Sequence, residues 1–181
     1  MYNITKEFEF AYAHRIWNQK LNGPQSLNAK PKCRNIHGHN ARVIVALSSP
    51  GLQSHGVVLD YNELNFFKKF LDEVLDHKYI IDESDPLLPQ DVLMRNKSSY
   101  KVFDTSNFRE SWGRDVDDFD QPHLEYLESF VIVPFVPTSE NLAKWLFENI
   151  EQYLGKMVAS VTFSESAKTT ATYFKDISAG A

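Results

Sequence analysis

HGHNARVIVAL, running from His37 to Leu47, is the stretch on which the fold of this chain turns. Ala41, Val43, Val45 and Leu47 stand two residues apart, the period at which strand side chains return to the same face. Carried backwards, that face runs through His39 and His37. The strand therefore carries one apolar stripe that ends in two imidazoles. The same design recurs on both sides of it. Phe8, Phe10 and Tyr12 share a face that continues to His14, and Met157, Ala159, Val161 and Phe163 share one that ends at Glu165. Three stripes, each ending in a group able to bind or titrate, predict one sheet with a chemical end.

Two helices are readable between the strands. Asp60-x-x-Glu63 has the form of a capping box, and Leu64, Phe67, Leu71 and Val74 follow at helical spacing. Thr138 or Ser139, just after Pro137, caps a second helix whose inner side is expected to carry Leu142, Leu146, Ile150 and Tyr153. A last short strand is expected from Thr169 to Phe174. Strands in pairs, each pair followed by a helix, predict an α+β fold: an antiparallel sheet with helices packed on one face. The region from about 82 to 130 fits neither period. DESDPLLPQD is turn-rich and RDVDDFDQPH is acidic, so the region reads as an insertion in a single domain spanning 1–181.

Composition narrows the function. The chain has 181 residues, 43% hydrophobic and 24% charged, enough for one domain with its own core. Its formal charge of -5 is uneven: residues 82–130 hold 12 acids and 5 bases, net -7, and the remainder 12 acids and 14 bases, net +2. No basic stripe of the kind a nucleic-acid binder needs is visible. No apolar run approaches membrane-spanning length. A single cysteine rules out an internal disulfide and suits a reducing compartment, so the expected location is the cytoplasm.

The chemistry concentrates in CRNIHGHN, Cys33 to Asn40. His37 and His39, two apart on a strand, can converge on one ion, and His14 can join from the neighbouring strand. Gly38 between them leaves room for close approach of a backbone or ligand. Three protein ligands with an open position is the arrangement of catalytic zinc, whereas structural zinc is usually closed by four. Lys32 and Arg34 flank Cys33 with positive charge, which favours a thiolate. Taken alone, Cys33 is more readily a small buried apolar residue than a base; beside His-Gly-His and two cations that preference reverses.

FEFAYAHR, CRNIHGHN, GVVLDYNEL, LDHKYI, PTSENLAKWL and VTFSES, in that order, resemble the motifs of the 6-pyruvoyltetrahydropterin and 6-carboxytetrahydropterin synthase family. The resemblance covers about residues 1–81 and 131–174, roughly two thirds of the chain. It implies the tunnelling fold, in which sheets from three subunits close a barrel and two trimers commonly stack, so a trimer-based homo-oligomer, up to a hexamer, is expected. It implies zinc held by His14, His37 and His39, and proton transfer by Cys33, Asp76 and His77. It further implies that Glu165 anchors a pterin ring, with Thr138, Ser139 and Glu140 beside it, and that the substrate is 7,8-dihydroneopterin triphosphate.

Blander roles stay open for several of these residues. His77 could simply suit a helix C-terminus, Glu165 could be a solvated strand-end acid, and Thr138 with Ser139 and Glu140 could serve only as a cap. Lys30, Lys32 and Arg34 are either solvated charge or receivers of the triphosphate. His55 and His123 are expected at the surface. Three classes of function follow: a zinc-dependent lyase, a pterin-binding relative without turnover, and a zinc module unrelated to pterins. Cys33 together with Asp76 and His77 argues against the second, and Glu165 against the third. The short spacing in CRNIHGH resembles the 6-carboxytetrahydropterin branch, which releases acetaldehyde on the route to queuosine; the alternative is the pyruvoyl branch.

Overall fold

Phe8, Phe10, Tyr12 and His14 are all at least 94% buried, and they lie along a first strand that runs without interruption from Tyr2 to His14 (β1). The computed structural model describes residues 1–21, 31–90 and 121–175. Strand β2, His37–Ser49, pairs antiparallel with β1 over the full length of both, from Tyr2 opposite Ser49 to His14 opposite His37. Residues directly opposed across such a pair point to the same side, so this register stacks the two apolar stripes and brings His14, His37, Tyr12 and His39 into one patch.

Strand β5, Val158–Ser166, pairs antiparallel with β2, and β6, Thr169–Phe174, with β5. On the other side the sheet becomes mixed. Strands β3, Lys78–Asp82, and β4, Phe130–Val133, add in parallel, giving the order β4-β3-β1-β2-β5-β6. The expected antiparallel pairing thus holds for four strands and is extended by two parallel ones. Parallel neighbours need a long crossover, and the helical segments between β2 and β3 and between β3 and β4 provide it.

The third stripe begins one residue later than its alternation suggests. The β2–β5 register shifts between Ala46 and Leu47, so that Leu47 faces Val158. Val158 is then fully buried, and Met157 and Ala159 are only half-buried. A bulge adds a residue to one strand and so inverts the alternation on one side of it.

The first helical segment is less regular than its spacing promised. It opens with a 3-10 turn over Tyr61–Leu64, continues as helix α1, Asn65–Phe70, and ends in a π turn over Leu71–Leu75. Asp60 does cap it, but its carboxylate accepts from the Asn62 N–H at 2.8 Å, one residue earlier than in a capping box, because the first turn is the tighter kind. Helix α2, Gln121–Glu128, precedes β4, and the long helix α3, Ser139–Leu154, follows it. Thr138 is the cap of α3, its Oγ1 accepting from the Asn141 N–H at 3.3 Å. Leu142, Leu146 and Ile150 are fully buried against the sheet, but Tyr153 is 46% exposed and stacks on Phe66 of α1, 4.6 Å between ring centroids. A helix turns 100° per residue, so the step of three from Ile150 carries Tyr153 away from the core side.

α1 and α3 cover the stripe-bearing face, where Phe8, Phe67, Val43, Val161, Leu146 and Phe163 share one cluster. Alternation along β3 and β4 sends Ile80, Val131 and Val133 into that cluster. It sends Ile81, with Phe130 and Ile132, into a second, smaller one with Leu88 and Leu127. The two described ends of the expected insertion, 82–90 and 121–129, therefore carry core of their own. Residues 91–120, including Trp112, lie outside the described residues, as does Lys30.

Candidate metal centre and its surroundings

His14, His37 and His39 offer ligand atoms that all lie within 4.8 Å of one another, and this is the one such cluster among the described residues. Their imidazoles form a triangle with ring centroids 4.6 to 5.2 Å apart. Two backbone carbonyls orient the rings. The Nδ1 of His14 lies 2.6 Å from the Pro137 carbonyl, and that of His37 lies 2.8 Å from the Asn35 carbonyl. A carbonyl can only accept, so each Nδ1 carries the proton and each Nε2 is left with a free lone pair. The Nε2 atoms of His14 and His39 are buried with no hydrogen-bond partner. Buried polar atoms are rarely left so, and a cation would satisfy them. Burial, assisted by the neighbouring imidazoles and opposed by the Pro137 contact, pushes the His14 pKa down to about 4, so at neutral pH it is uncharged and ready to ligate. The residues fit a divalent metal held by three imidazoles, two of them, His14 and His37, fixed from behind in the way metal-bound histidines usually are.

Pro137, which sequence reasoning left without a role, ties two elements together here. Its buried carbonyl holds His14, and the next residue, Thr138, begins helix α3. Thr138 and Ser139 are half-buried and Glu140 is exposed, so the start of α3 stands beside the histidine cluster. Only a proline directly before a capping residue hinted at this, and nothing in its identity foretells a histidine contact.

Glu165 also reaches the cluster. Its Oε1 lies 3.8 Å from the His14 Nε2 and accepts from the Tyr12 hydroxyl at 3.4 Å. Tyr12 is 4% exposed, packed among His14, His39 and Phe163, and burial with the adjacent carboxylate raises its pKa. The phenol accordingly stays protonated and donates to Glu165. The stripe of β1 was readable, but this hydroxyl on it was read only as core.

Asp76 and His77 form a second centre. Asp76 accepts from the Ala11 N–H at 2.8 Å, the His77 N–H donates to the Ala11 carbonyl at 2.7 Å, and the two side chains meet at 2.8 Å. Burial raises the Asp76 pKa, but the Ala11 N–H and the His77 imidazole outweigh it and hold the carboxyl below its usual range. His77 has φ of 60°, a left-handed backbone that costs a non-glycine residue about 1 kcal/mol or more, and its side chain is 82% exposed. A left-handed backbone at an exposed histidine is the kind of local strain found at functional sites, and here it is held by the Ala11 and Asp76 contacts. His77→Gly is therefore expected to keep or raise the unfolding temperature while lowering turnover, and a fall in both would assign His77 to structure.

Cys33 is tied to a different part of the chain. It lies in a single 3-10 turn, Lys32–Arg34, and its carbonyl accepts from the Ile16 N–H at 2.7 Å, beyond the end of β1. The thiol is half-buried, with Lys32 and Arg34 exposed on either side. The hydrogen bonds found for Asp76 and His77 run to Ala11 and to each other, and none of them runs to Cys33. His55 is exposed as expected; the side chain of His123 lies outside the described residues.

A family described as 6-pyruvoyl tetrahydropterin synthase matches residues 3–176. A 6-carboxy-5,6,7,8-tetrahydropterin synthase of Aquifex aeolicus is 29% identical over 185 aligned residues, covering 95% of this chain and 97% of that one. The human 6-pyruvoyl tetrahydrobiopterin synthase is 27% identical over 58% of this chain and 86% of its own. Among solved structures, an uncharacterized protein from Wolinella succinogenes superposes with a TM-score of 0.83 at 45% identity, over 97% of this chain and 98% of that one. The 6-pyruvoyl tetrahydropterin synthase of Caenorhabditis elegans superposes with a TM-score of 0.56 at 22% identity, over 97% and 96%, a likeness of fold.

Proposed function

We infer from one premise, that this chain belongs to the 6-pyruvoyl tetrahydropterin synthase family, that it is a zinc-dependent lyase acting on 7,8-dihydroneopterin triphosphate. The product we favour is 6-carboxy-5,6,7,8-tetrahydropterin, with acetaldehyde and triphosphate, in the 7-deazapurine route to queuosine. The observation that carries the reading is the histidine triangle with its orphaned Nε2 atoms, set at one end of a sheet whose third strand delivers Glu165.

His14, His37 and His39 would hold zinc, which when bound supplies Lewis-acid polarisation of the substrate's side-chain hydroxyls. The chain's own groups do the rest. Cys33 accepts a side-chain proton, and the exposed Lys32 and Arg34 beside it offer positive charge to an approaching triphosphate. Asp76 orients His77, its carboxylate meeting the imidazole at 2.8 Å, as a carboxylate does for a catalytic imidazole. Glu165 accepts from the adjacent amino and ring N–H groups of the pterin, with the start of α3 at Thr138, Ser139 and Glu140 lining the same end. Glu165→Gln is expected to weaken binding of a product-like pterin by about 1–3 kcal/mol. Calorimetry on the metal-loaded protein checks this, and an unchanged affinity would move Glu165 out of the ring site.

A trimer-based homo-oligomer, up to a hexamer, is part of the same reading. Among the described residues β3 pairs with β1 at Tyr12 and Ala13 alone and β6 is paired on one side, which leaves sheet edges for closure of a trimer-based barrel. Among the described residues no helix is long and apolar enough to cross a membrane. Placement in the cytoplasm remains part of this reading, with a lone cysteine that needs no disulfide.

The branch is decided by acetaldehyde. Incubation with 7,8-dihydroneopterin triphosphate should release it together with triphosphate. Triphosphate without acetaldehyde would make this a 6-pyruvoyl-forming enzyme, and neither product would leave a binding protein. The relatives bearing the 6-carboxy name, in Aquifex aeolicus and Haemophilus influenzae, span 95% and 96% of this chain and support the first outcome.

A further inference from the structure

Immediately after His14 the chain leaves the sheet, and two of its next three residues, Arg15 and Trp17, are held by acidic side chains far away in sequence. Arg15 forks onto Asp85, its Nε donating to Oδ2 at 2.6 Å and an Nη to Oδ1 at 2.7 Å. The indole N–H of Trp17 donates to Asp82 Oδ2 at 2.8 Å. Both acids are at least 95% buried, at the end of β3 and in the turn that follows it. Backbone donors fix them from the other side: Ser84 N–H to Asp82 Oδ1 and Leu87 N–H to Asp85 Oδ1, each 2.8 Å. Asp85 N–H donates in turn to the Asp82 carbonyl at 3.0 Å. The turn is a rigid block. Between the two clamped side chains lies Ile16, whose N–H donates to the Cys33 carbonyl at 2.7 Å.

We propose that Asp82 and Asp85, acting through Arg15 and Trp17, are positioning residues that set where the Cys33 thiol stands relative to the histidine cluster. The 3-10 turn carrying Cys33 is three residues long and buries none of them. Among the described residues it is located by the start of β2 at His37 on one side and by its tie to Ile16 on the other. Buried carboxylates are costly unless their oxygens are satisfied, and here the donors that satisfy them, on Arg15 and Trp17, pin the chain on either side of Ile16. The bidentate fork resists rotation as well as displacement, which a single charge contact would not.

The proposal rests on Cys33 as the proton-transfer group, and the test separates the two ideas. Cys33 is the chain's only cysteine, so iodoacetamide labelling of the metal-loaded protein reads its position directly. Trp17→Phe removes one N–H and keeps most of the ring, and Asp85→Asn keeps the size and removes the charge. Each is expected to change the labelling rate severalfold and to lower kcat on the order of tenfold, with KM and bound metal nearly unchanged. Should Asp85→Asn fail to fold, Trp17→Phe decides alone. An unchanged labelling rate and kcat, with only a lower unfolding temperature, would reduce the clamp to a plain structural tie. A changed labelling rate with full turnover in both Trp17→Phe and Cys33→Ala would uphold the positioning and reject catalysis by Cys33.

Discussion

His37→Ala should yield a folded protein that no longer retains stoichiometric metal and turns over the triphosphate at least about a thousandfold more slowly. The choice of His37 matters. Its ring is only half-buried, so alanine there leaves no deep cavity, and the strand around it is pinned by pairing with β1. His14→Ala should lose the same metal but also destabilise the fold, because it strips the Pro137 carbonyl of its donor, at a cost of about 1–3 kcal/mol. Metal analysis beside thermal unfolding separates the two effects. Retention of a full equivalent of metal by His37→Ala would dismantle the proposed ligand set.

Removing metal from the native protein should expose a related signature. His14 titrates near 6.5 when unfolded and near 4 when folded. Between those values the unfolded chain binds more protons, so stability rises with pH across that window. The contribution is fully present above pH 6.5 and is lost as pH falls towards 4, and the shift corresponds to about 3 kcal/mol. Chelated protein should therefore unfold progressively more easily between those limits.

The central part of the sheet was readable because its residues obey one rule. From Phe8 to Tyr12 in β1 and from Ala41 to Leu47 in β2 every second side chain is apolar, both strands are long, and no bulge interrupts their pairing, so the stripes lead straight to His14, His37 and His39. Where a second force entered, the reading slipped. A bulge opposite Leu47 moved the start of the β5 stripe to Val158, and a 3-10 turn moved the Asp60 contact to Asn62. Parallel pairing of β3 and β4 could not be seen at all, since strand direction depends on crossovers that leave no periodic mark. Asp82 and Asp85 were counted as part of an acidic insertion. They are buried instead, because Arg15 and Trp17, distant in sequence, supply the donors that make burial tolerable. Alternation can name the face on which a side chain lies; it cannot name a partner some 70 residues away.

Cys33→Ala should leave the fold and the metal intact and remove product formation. The fold survives because the contact that locates the turn is made by the Cys33 carbonyl, which alanine keeps. Metal survives because all three proposed ligands lie on β1 and β2, outside that turn. Loss of a positioned base typically costs a factor of about a hundred to ten thousand. Cys33→Ser sharpens the test: a hydroxyl fills nearly the same space but holds its proton far more tightly, so it should fare little better than alanine. A role in packing predicts the opposite order, with serine and alanine both near the native rate and differing only in unfolding temperature. Parallel assays of triphosphate and acetaldehyde release then show whether the thiol serves the first bond broken or only the second. If triphosphate still appears and acetaldehyde does not, the base for elimination lies elsewhere, and the exposed imidazole of His77 becomes the group to test next.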